Sequence, residues 1–320
     1  MNSSAGKLKL TIVYLDKITI GNVPNLQNLN ELGQVRLYDT TTPAELGERI
    51  QDAHVIITNK VVIDKTAMDL APFLKLICVS ATGMNNVDLD YAAKKGIPVK
   101  NVIGYSTNSV AQSTFAMLLY LMQQLRYYDH YVKSGQYIHS PVFTHMGPEF
   151  REIAGKTFGI IGLGAIGKKV ASIARAFGAH VIYYSTSGKN NDSSFLRKDL
   201  NELLAQSDVI SIHAPLNENT RNLIDLDKLK RMKPAAILIN AGRGGIVNEH
   251  DLAGALNNHL IYAAALDVLT IEPIAADNPL LTVKDKDRIL IMPHVAWASV
   301  EARILLVDRI CENIANHFSV

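Results

Sequence analysis

Three short apolar runs in the second half of the chain each end beside a residue that can do chemistry. The run "AAILIN" (235–240) leads into "AGRGG" and delivers Arg243. The run "AAALDV" (263–268) carries Asp267 and leads into "LTIEP", which delivers Glu272. The run "ILIM" (289–292) leads into "PHVAW", which delivers His294. Continuous Val, Ile, Leu and Ala runs of this length mark strands buried on both faces. Open α/β sheets bind ligands beyond the carboxyl ends of their strands. Singly, each residue has an ordinary reading: a solvated arginine, a turn glutamate before Pro273, one of 10 histidines. Together, a cation, a carboxylate and an imidazole suit reduction of a 2-oxo acid. The guanidinium fork pairs with the substrate carboxylate and polarises the carbonyl. The imidazole delivers a proton near neutral pH, and a neighbouring carboxylate fixes its orientation and favours its charged form.

Such a reduction needs a hydride, and "TFGIIGLGAIGKKVASIARAFG" (157–178) reads as a place for its donor. Gly162, Gly164 and Gly167 form G-x-G-x-x-G between a strand and a helix, and Ala165 and Ile166 within that turn are expected to bind the cofactor with them. The first glycine permits the sharp turn, the second lets a pyrophosphate approach the backbone, and the third lets helix pack on strand. Free N–H groups at the helix start face the phosphates. Ile166, Val170, Ile173 and Phe177 share one face of that helix, and Gly178 stops it. A triphosphate loop is the rival reading of "GLGAIGKK", but it requires Ser or Thr after the lysine, where Lys169 stands. About 20 residues beyond such glycines, an acid normally holds the ribose hydroxyls of NAD. Here Tyr184 is followed by Ser185, Thr186, Ser187 and Lys189. Without the carboxylate, nothing repels the 2′-phosphate of NADP, and hydroxyls plus a lysine can bind it. A serine can equally bond the ribose of NAD, so the cofactor is NAD or NADP with the preference open.

The elements that must position these residues alternate between strand-like and helix-like throughout, which indicates α/β architecture. Strand-like runs fall at 9–15, 35–39, 54–59, 74–80 and 97–102, then at 157–162, 180–184, 209–213, 235–240, 263–268 and 289–294. The six of the second set are the number in a complete dinucleotide-binding sheet. The five of the first suffice for a smaller α/β domain. Residues 106–132 read as a helix able to cross from one domain to the other, and 133–155 as an irregular excursion. The last segment reads as a closing helix with Ile304, Val307, Cys311 and Ile314 on one face.

Composition fits this picture. The 320 residues are 48% hydrophobic and 19% charged, with net charge +2 and no long basic run, which argues against nucleic acid as the main partner. Cys78 and Cys311 are expected to be free thiols of a reducing compartment. No zinc-ligand spacing is present, so no metal is expected. The opening "MNSSAGKLKL" lacks a signal-peptide core, and "FAMLLYLM" (115–122) is too short to span a bilayer. A soluble cytoplasmic protein is expected.

At this point a family resemblance stands out. "GIIGLGAIGKKVA", "SIHAPLNENTRNLI", "LINAGRGGIVNEHDL", "ALDVLTIEP" and "PHVAWASVEAR" occur in the order found in the D-isomer-specific 2-hydroxyacid dehydrogenases, and the chain resembles that family over essentially its whole length. The segment 79–112 and "PHVAWAS", with Trp297, look most like the D-glycerate dehydrogenase (hydroxypyruvate reductase) branch. The resemblance implies that Arg243, Glu272 and His294 are catalytic and that Asp267 contacts the nicotinamide carboxamide. It implies that His213, Ala214 and Pro215, with Thr220, Ala241 and Gly242, line the cofactor, and that the backbone of Ala81, Thr82, Gly83 and Met84 holds the substrate carboxylate. The implied fold is two Rossmann-like domains with a cleft between them. A dinucleotide-binding domain (105–294) is inserted in a discontinuous, flavodoxin-like substrate domain (1–104 and 295–320). The implied assembly is a homodimer through the cofactor domain, with residues 106–150 as the wrapping arm. Alternatives are another 2-oxo acid reductase, of D-lactate type, and a dinucleotide-sensing, corepressor-like binding protein.

Overall fold

The apolar runs form two all-parallel sheets in a computed structural model that describes residues 10–319. The leading "MNSSAGKLK" lies outside the described residues. The chain divides into two compact units: one holds the described residues up to Ser106 and from Ala298 on, the other Thr107–Trp297.

In the first unit, β1 (Leu10–Tyr14), β2 (Gly33–Leu37), β3 (Val55–Thr58), β4 (Leu76–Val79) and β5 (Val99–Lys100) lie in the order β2-β1-β3-β4-β5. This is the flavodoxin-like arrangement. Both central runs, "VIIT" and "LICV", are buried at every residue. Helices α1 (Pro43–Ile50), α2 (Lys65–Asp69) and α3 (Leu89–Lys94) start on side-chain caps, as with Asp64 accepting from Ala67 N. The C-terminal helix, Val300–Phe318, begins at Ser299, whose Oγ accepts from Ala302 N at 3.1 Å. It buries Ala302, Leu306, Val307, Ile310 and Ile314. The buried stripe is thus rotated from the expected one, and Cys311 is only half-buried. Both cysteines are free.

The second unit opens with α4 (Thr107–Met122) and α5 (Leu125–Lys133). The expected single helix is broken at Gln123–Gln124, where Gln124 takes a left-handed φ of 54°. Then come β6 (Thr157–Ile161), α6 (Ala165–Ala176), β7 (His180–Tyr184), β8 (Leu196–Arg197), α7 (Leu200–Gln206), β9 (Val209–Ile212), α8 (Leu226–Leu229), β10 (Ile237–Asn240), α9 (Glu249–Asn257), β11 (Ala263–Leu266) and β12 (Ile289–Ile291). The sheet order is β12-β11-β10-β9-β6-β7-β8. Read from β8, it is the 3-2-1-4-5-6 order of a dinucleotide-binding sheet plus a seventh strand. The sequence reading counts six strands because β8 is two exposed residues with no apolar run to announce it. Helix α6 buries Gly167, Val170, Ala171 and Ala174, while Phe177 lies exposed and stacks on Phe115. Small residues, rather than the larger ones of the expected stripe, let the helix close on β6. Residues 133–155 are irregular apart from one short 3-10 turn at Gln136–His139. Among the described residues no helix is long and apolar enough to cross a membrane.

Candidate active site

The glycine turn follows β6 as the spacing requires. Gly162 has a φ of 91°, and a Cβ there would stand 2.9 Å from the Ala214 backbone. A Cβ on Gly167 would stand 2.2 Å from Gly162 O. At Gly164, by contrast, a Cβ would meet nothing within 4 Å. So the first and third glycines are demanded by packing, and the second lies open. No side chain caps α6, whose first bond runs from Lys168 N to Gly164 O at 2.9 Å. The earlier N–H groups of the first turn, from exposed Ala165 and half-buried Ile166, have no carbonyl within the helix. An open backbone beside an uncapped helix start fits a dinucleotide pyrophosphate.

The neighbouring strand ends close on this turn. Gly242, after β10, approaches Ala214 so closely that a Cβ would stand 2.9 Å from Ala214 O. Thus Gly162, His213, Ala214, buried Ala241 and Gly242 are brought together. Pro215 is exposed, and fully buried Thr220 donates to its carbonyl at 2.7 Å, closing the turn. His213 is held by Ser211 Oγ at 2.8 Å from its Nε2, while its buried Nδ1 has no partner. Burial pushes its pKa down to about 3, so the imidazole is neutral at physiological pH.

At the end of β7, Tyr184 is half-buried and Ser185 is buried, its Oγ accepting from Asn190 N at 3.2 Å. The chain turns there, Gly188 N bonding Ser185 O at 3.1 Å. Thr186 is half-buried, and Ser187 and Lys189 are exposed. The loop is latched to the glycine turn by Asn190 Nδ2 on Leu163 O, and by Lys168 Nζ to Asp192 Oδ2 at 2.8 Å. Lys168 and the Ser194 amide hold the Asp192 pKa down at about 2.

Glu272 and His294 meet. His294 Nδ1 lies 2.6 Å from Glu272 Oε2, and Glu272 Oε1 accepts from Leu269 N at 2.8 Å. The carboxylate therefore holds the ring by one oxygen and its own loop by the other, and Nε2 is the ring nitrogen it does not engage. His294 has a left-handed φ of 55°, a conformation that costs a non-glycine residue about 1–2 kcal/mol. Its loop is correspondingly tied down. Asp267 Oδ1 accepts from Val295 N at 2.9 Å and Ala296 N at 3.0 Å, while Asp267 O accepts from His294 N at 2.8 Å. Burial raises the Asp267 pKa, and the two backbone donors oppose that rise. Trp297 Nε1 donates to His294 O at 2.9 Å.

Arg243 is exposed on a turn built by Asn240, whose amide donates to Arg243 O and accepts from Gly242 N. Its Nη1 donates to Gly242 O at 2.8 Å. Gly244 allows the turn to sit on the segment after β11: a Cβ there would be 1.8 Å from Leu269 O. Ala81, Thr82, Gly83 and Met84 lie in the first unit beyond β4. There Val102 N bonds Ala81 O, and Thr82 Oγ1 donates to Val102 O at 3.1 Å. Asn240, Asn190, Ser109 and Ser113 support these loops, and no motif in the sequence marks them; only the three-dimensional bonding does.

The profile of the family described as "D-isomer specific 2-hydroxyacid dehydrogenase, NAD binding domain" matches residues 115–296. The chain belongs to the D-isomer-specific 2-hydroxyacid dehydrogenases. It is 36% identical to a glycerate dehydrogenase of Methylorubrum extorquens over 95% of this chain and 94% of that one. It is 36% identical to a hydroxypyruvate reductase of Blautia hydrogenotrophica over 90% of each. Among solved structures, it superposes on an NADPH-dependent glyoxylate/hydroxypyruvate reductase of Sinorhizobium meliloti, in complex with NADP and malonate. That likeness has a TM-score of 0.81 at 27% identity over 98% and 94% of the two chains. This dehydrogenase is an NAD(P)-dependent oxidoreductase acting on 2-hydroxy acids, built on the two-domain α/β fold of its family.

Proposed function

We propose that this dehydrogenase reduces a small 2-oxo acid of the hydroxypyruvate or glyoxylate kind, with His294 as proton donor. The observation that carries the reading is the His294–Glu272 pair at 2.6 Å, on a loop held in a left-handed turn. When bound, the reduced nicotinamide supplies the hydride. Gly162, Gly164, Gly167 and the start of α6 hold the pyrophosphate. Tyr184, Ser185, Thr186, Ser187 and Lys189 surround the ribose end. His213, Ala214, Pro215, Ala241, Gly242 and Asp267 face the nicotinamide end. Glu272 orients the His294 ring by holding its Nδ1, and Nε2 gives its proton to the carbonyl oxygen. Arg243 pairs with the substrate carboxylate and polarises the carbonyl as negative charge develops. Backbone N–H groups of Ala81–Met84 are proposed to bind the substrate carboxylate. In this reading Thr107–Trp297 is the dinucleotide-binding domain, and the other unit selects the acid.

The protein is further proposed to work as a homodimer in the cytoplasm. Residues 125–150 expose Val132, Ile138, Val142, Phe143 and Met146, with Phe143 91% and Met146 89% exposed. Runs of bare apolar side chains on a stable surface mark an interface.

The test is kcat/KM for hydroxypyruvate, glyoxylate and pyruvate, each with NADH and with NADPH. Fastest turnover of hydroxypyruvate or glyoxylate is expected, and a preference for pyruvate would move the assignment to a D-lactate type. His294→Ala is expected to lose at least a hundredfold in kcat, the usual worth of general acid catalysis. A near-normal rate would remove it as proton donor. Arg243→Ala is expected to raise KM and lower kcat together; an effect on cofactor KM alone would reassign it.

A further inference from the structure

We propose that Ser109 and Ser113, on α4, are positioning residues for His294. The inference rests on the reading of His294 as proton donor and adds residues that no motif or relative's name assigns to it.

The backbone from His294 to Ala296 is held on both its amide and its carbonyl sides. His294 N, Val295 N and Ala296 N all donate to Asp267, through its carbonyl or its Oδ1. His294 O accepts from Trp297 Nε1. Ala296 O accepts from two hydroxyls, Ser109 Oγ at 2.7 Å and Ser113 Oγ at 3.2 Å. One donor would satisfy that carbonyl. The two serines are one helical turn apart and so share a face of α4. Thr114 on the same helix bonds back to Val110 O, as helical hydroxyls commonly do. Ser109 and Ser113 instead reach a carbonyl more than 180 residues away in sequence.

The device is a clamp with two jaws. Asp267, at the end of β11, holds the amide side of the loop, and α4 holds the carbonyl side. A left-handed residue that is not glycine persists only where its surroundings over-determine it. Releasing the carbonyl side lets the His294 backbone relax toward an ordinary conformation and swings the ring away from its productive direction. Glu272 still reaches the ring from one side, so the loss is of precision rather than of the acid itself. Small misplacements of a catalytic group are expensive in rate.

The test uses the full-length enzyme and whichever of the three acids turns over fastest. It compares wild type, the Ser109→Ala/Ser113→Ala double variant, and Ser113→Thr. Four quantities are read: kcat, substrate KM, NADH Kd by fluorescence titration, and the thermal midpoint. The double variant is expected to lose about tenfold in kcat, the equivalent of one or two hydrogen bonds, with KM and NADH Kd within about twofold of wild type. Ser113→Thr, which keeps the hydroxyl, is expected to retain wild-type kcat. The Cε1–H signal of His294 in the NMR spectrum is expected to shift or broaden in the double variant only. An unchanged kcat in the double variant overturns the proposal. So does a parallel fall of kcat, NADH affinity and thermal midpoint, which would make the serines general packing residues. A His294→Ala enzyme with near-normal rate sinks the proton-donor reading and this one with it. A dead His294→Ala enzyme beside a fully active double variant sinks this inference alone.

Discussion

Two glycines of the phosphate turn, only three residues apart, should fail in opposite ways when given a methyl group. At Gly167 an added Cβ would lie 2.2 Å from Gly162 O and 3.2 Å from Ile160 Cγ2, against ordinary contact of 3.4–4 Å. The start of α6 must therefore move off β6 by about 1 Å. Overpacking of this kind costs roughly 1–3 kcal/mol, and the better helix propensity of alanine returns about 0.5–1 kcal/mol. A net loss of about 1–2 kcal/mol lowers the thermal midpoint of a unit of this size by roughly 2–8 °C. At Gly164 the backbone is extended, with φ −79° and ψ −165°, and a Cβ meets nothing within 4 Å. Gly164→Ala is therefore expected to stay within about 1 kcal/mol of wild type in stability, the usual difference between glycine and alanine at a helix N-cap. Its methyl instead occupies the space through which the pyrophosphate must approach the backbone, so NADH affinity should fall at least tenfold. Thermal unfolding and fluorescence titration with NADH separate the two effects. A Gly164→Ala protein that binds NADH normally would refute the placement of the pyrophosphate over this residue. A Gly167→Ala protein as stable as wild type would show that the close approach of α6 to Gly162 is not maintained in solution.

His213 makes stability depend on pH. Its folded-state pKa of about 3 lies below the ordinary imidazole value of 6.5, so below pH 6.5 the unfolded chain takes up a proton that the folded one refuses. The sign is therefore a loss of stability as pH falls from about 6.5 toward 3. Although part of the residue reaches solvent, its Nδ1 does not. Between pH 7.5 and 5.5 wild type should lose about 1.4 kcal/mol that His213→Gln does not, and identical pH dependence of the two in denaturant unfolding would contradict the buried neutral ring. Ser185→Asp should shift the NADH:NADPH ratio of kcat/KM toward NADH by at least tenfold, and an unchanged ratio would show that this loop does not select the cofactor. Asp16→Ala removes the carboxylate that accepts from the backbone of Asn59, Lys60 and Val61. It should destabilise the first unit by about 2–3 kcal/mol, as loss of a charged acceptor does, with no change in NADH affinity.

The strands were legible where burial is continuous: all residues of β3, β4, β9, β10 and β11 are buried, and all five lie within apolar runs. β8 was not, because a two-residue exposed strand is defined by its pairing with Ile182 and Tyr183 and by nothing in its own composition. The break between α4 and α5 was also hidden, since Gln123–Gln124 carries neither glycine nor proline to announce it. Of the candidate site, the side chains proposed to do chemistry stand in the sequence as polar residues beyond strand ends. The bonds that hold them do not. Asn240 shaping the Arg243 turn, Asp267 anchoring the His294 loop through backbone amides, and the serines of α4 on Ala296 O all act through main-chain partners that no spacing rule encodes.

Cofactor choice follows from what Ser185 can still do. Its hydroxyl already accepts the Asn190 amide, and the residue is buried. What it retains is a proton to donate, and both a ribose hydroxyl and a phosphate oxygen accept one. In the proposed site Ser185 is therefore compatible with either cofactor, whereas a carboxylate there would accept from hydroxyls and repel phosphate. Discrimination in favour of the phosphate is left to Ser187 and Lys189, which are exposed. Lys168 is drawn away by its pairing with Asp192. An exposed charge pair is worth about 0.2–1 kcal/mol, less than the 1.4 kcal/mol of a tenfold preference. If this loop holds the ribose end, as proposed, it is expected to accept NADPH without excluding NADH, and comparable kcat/KM with the two cofactors is the outcome that checks it.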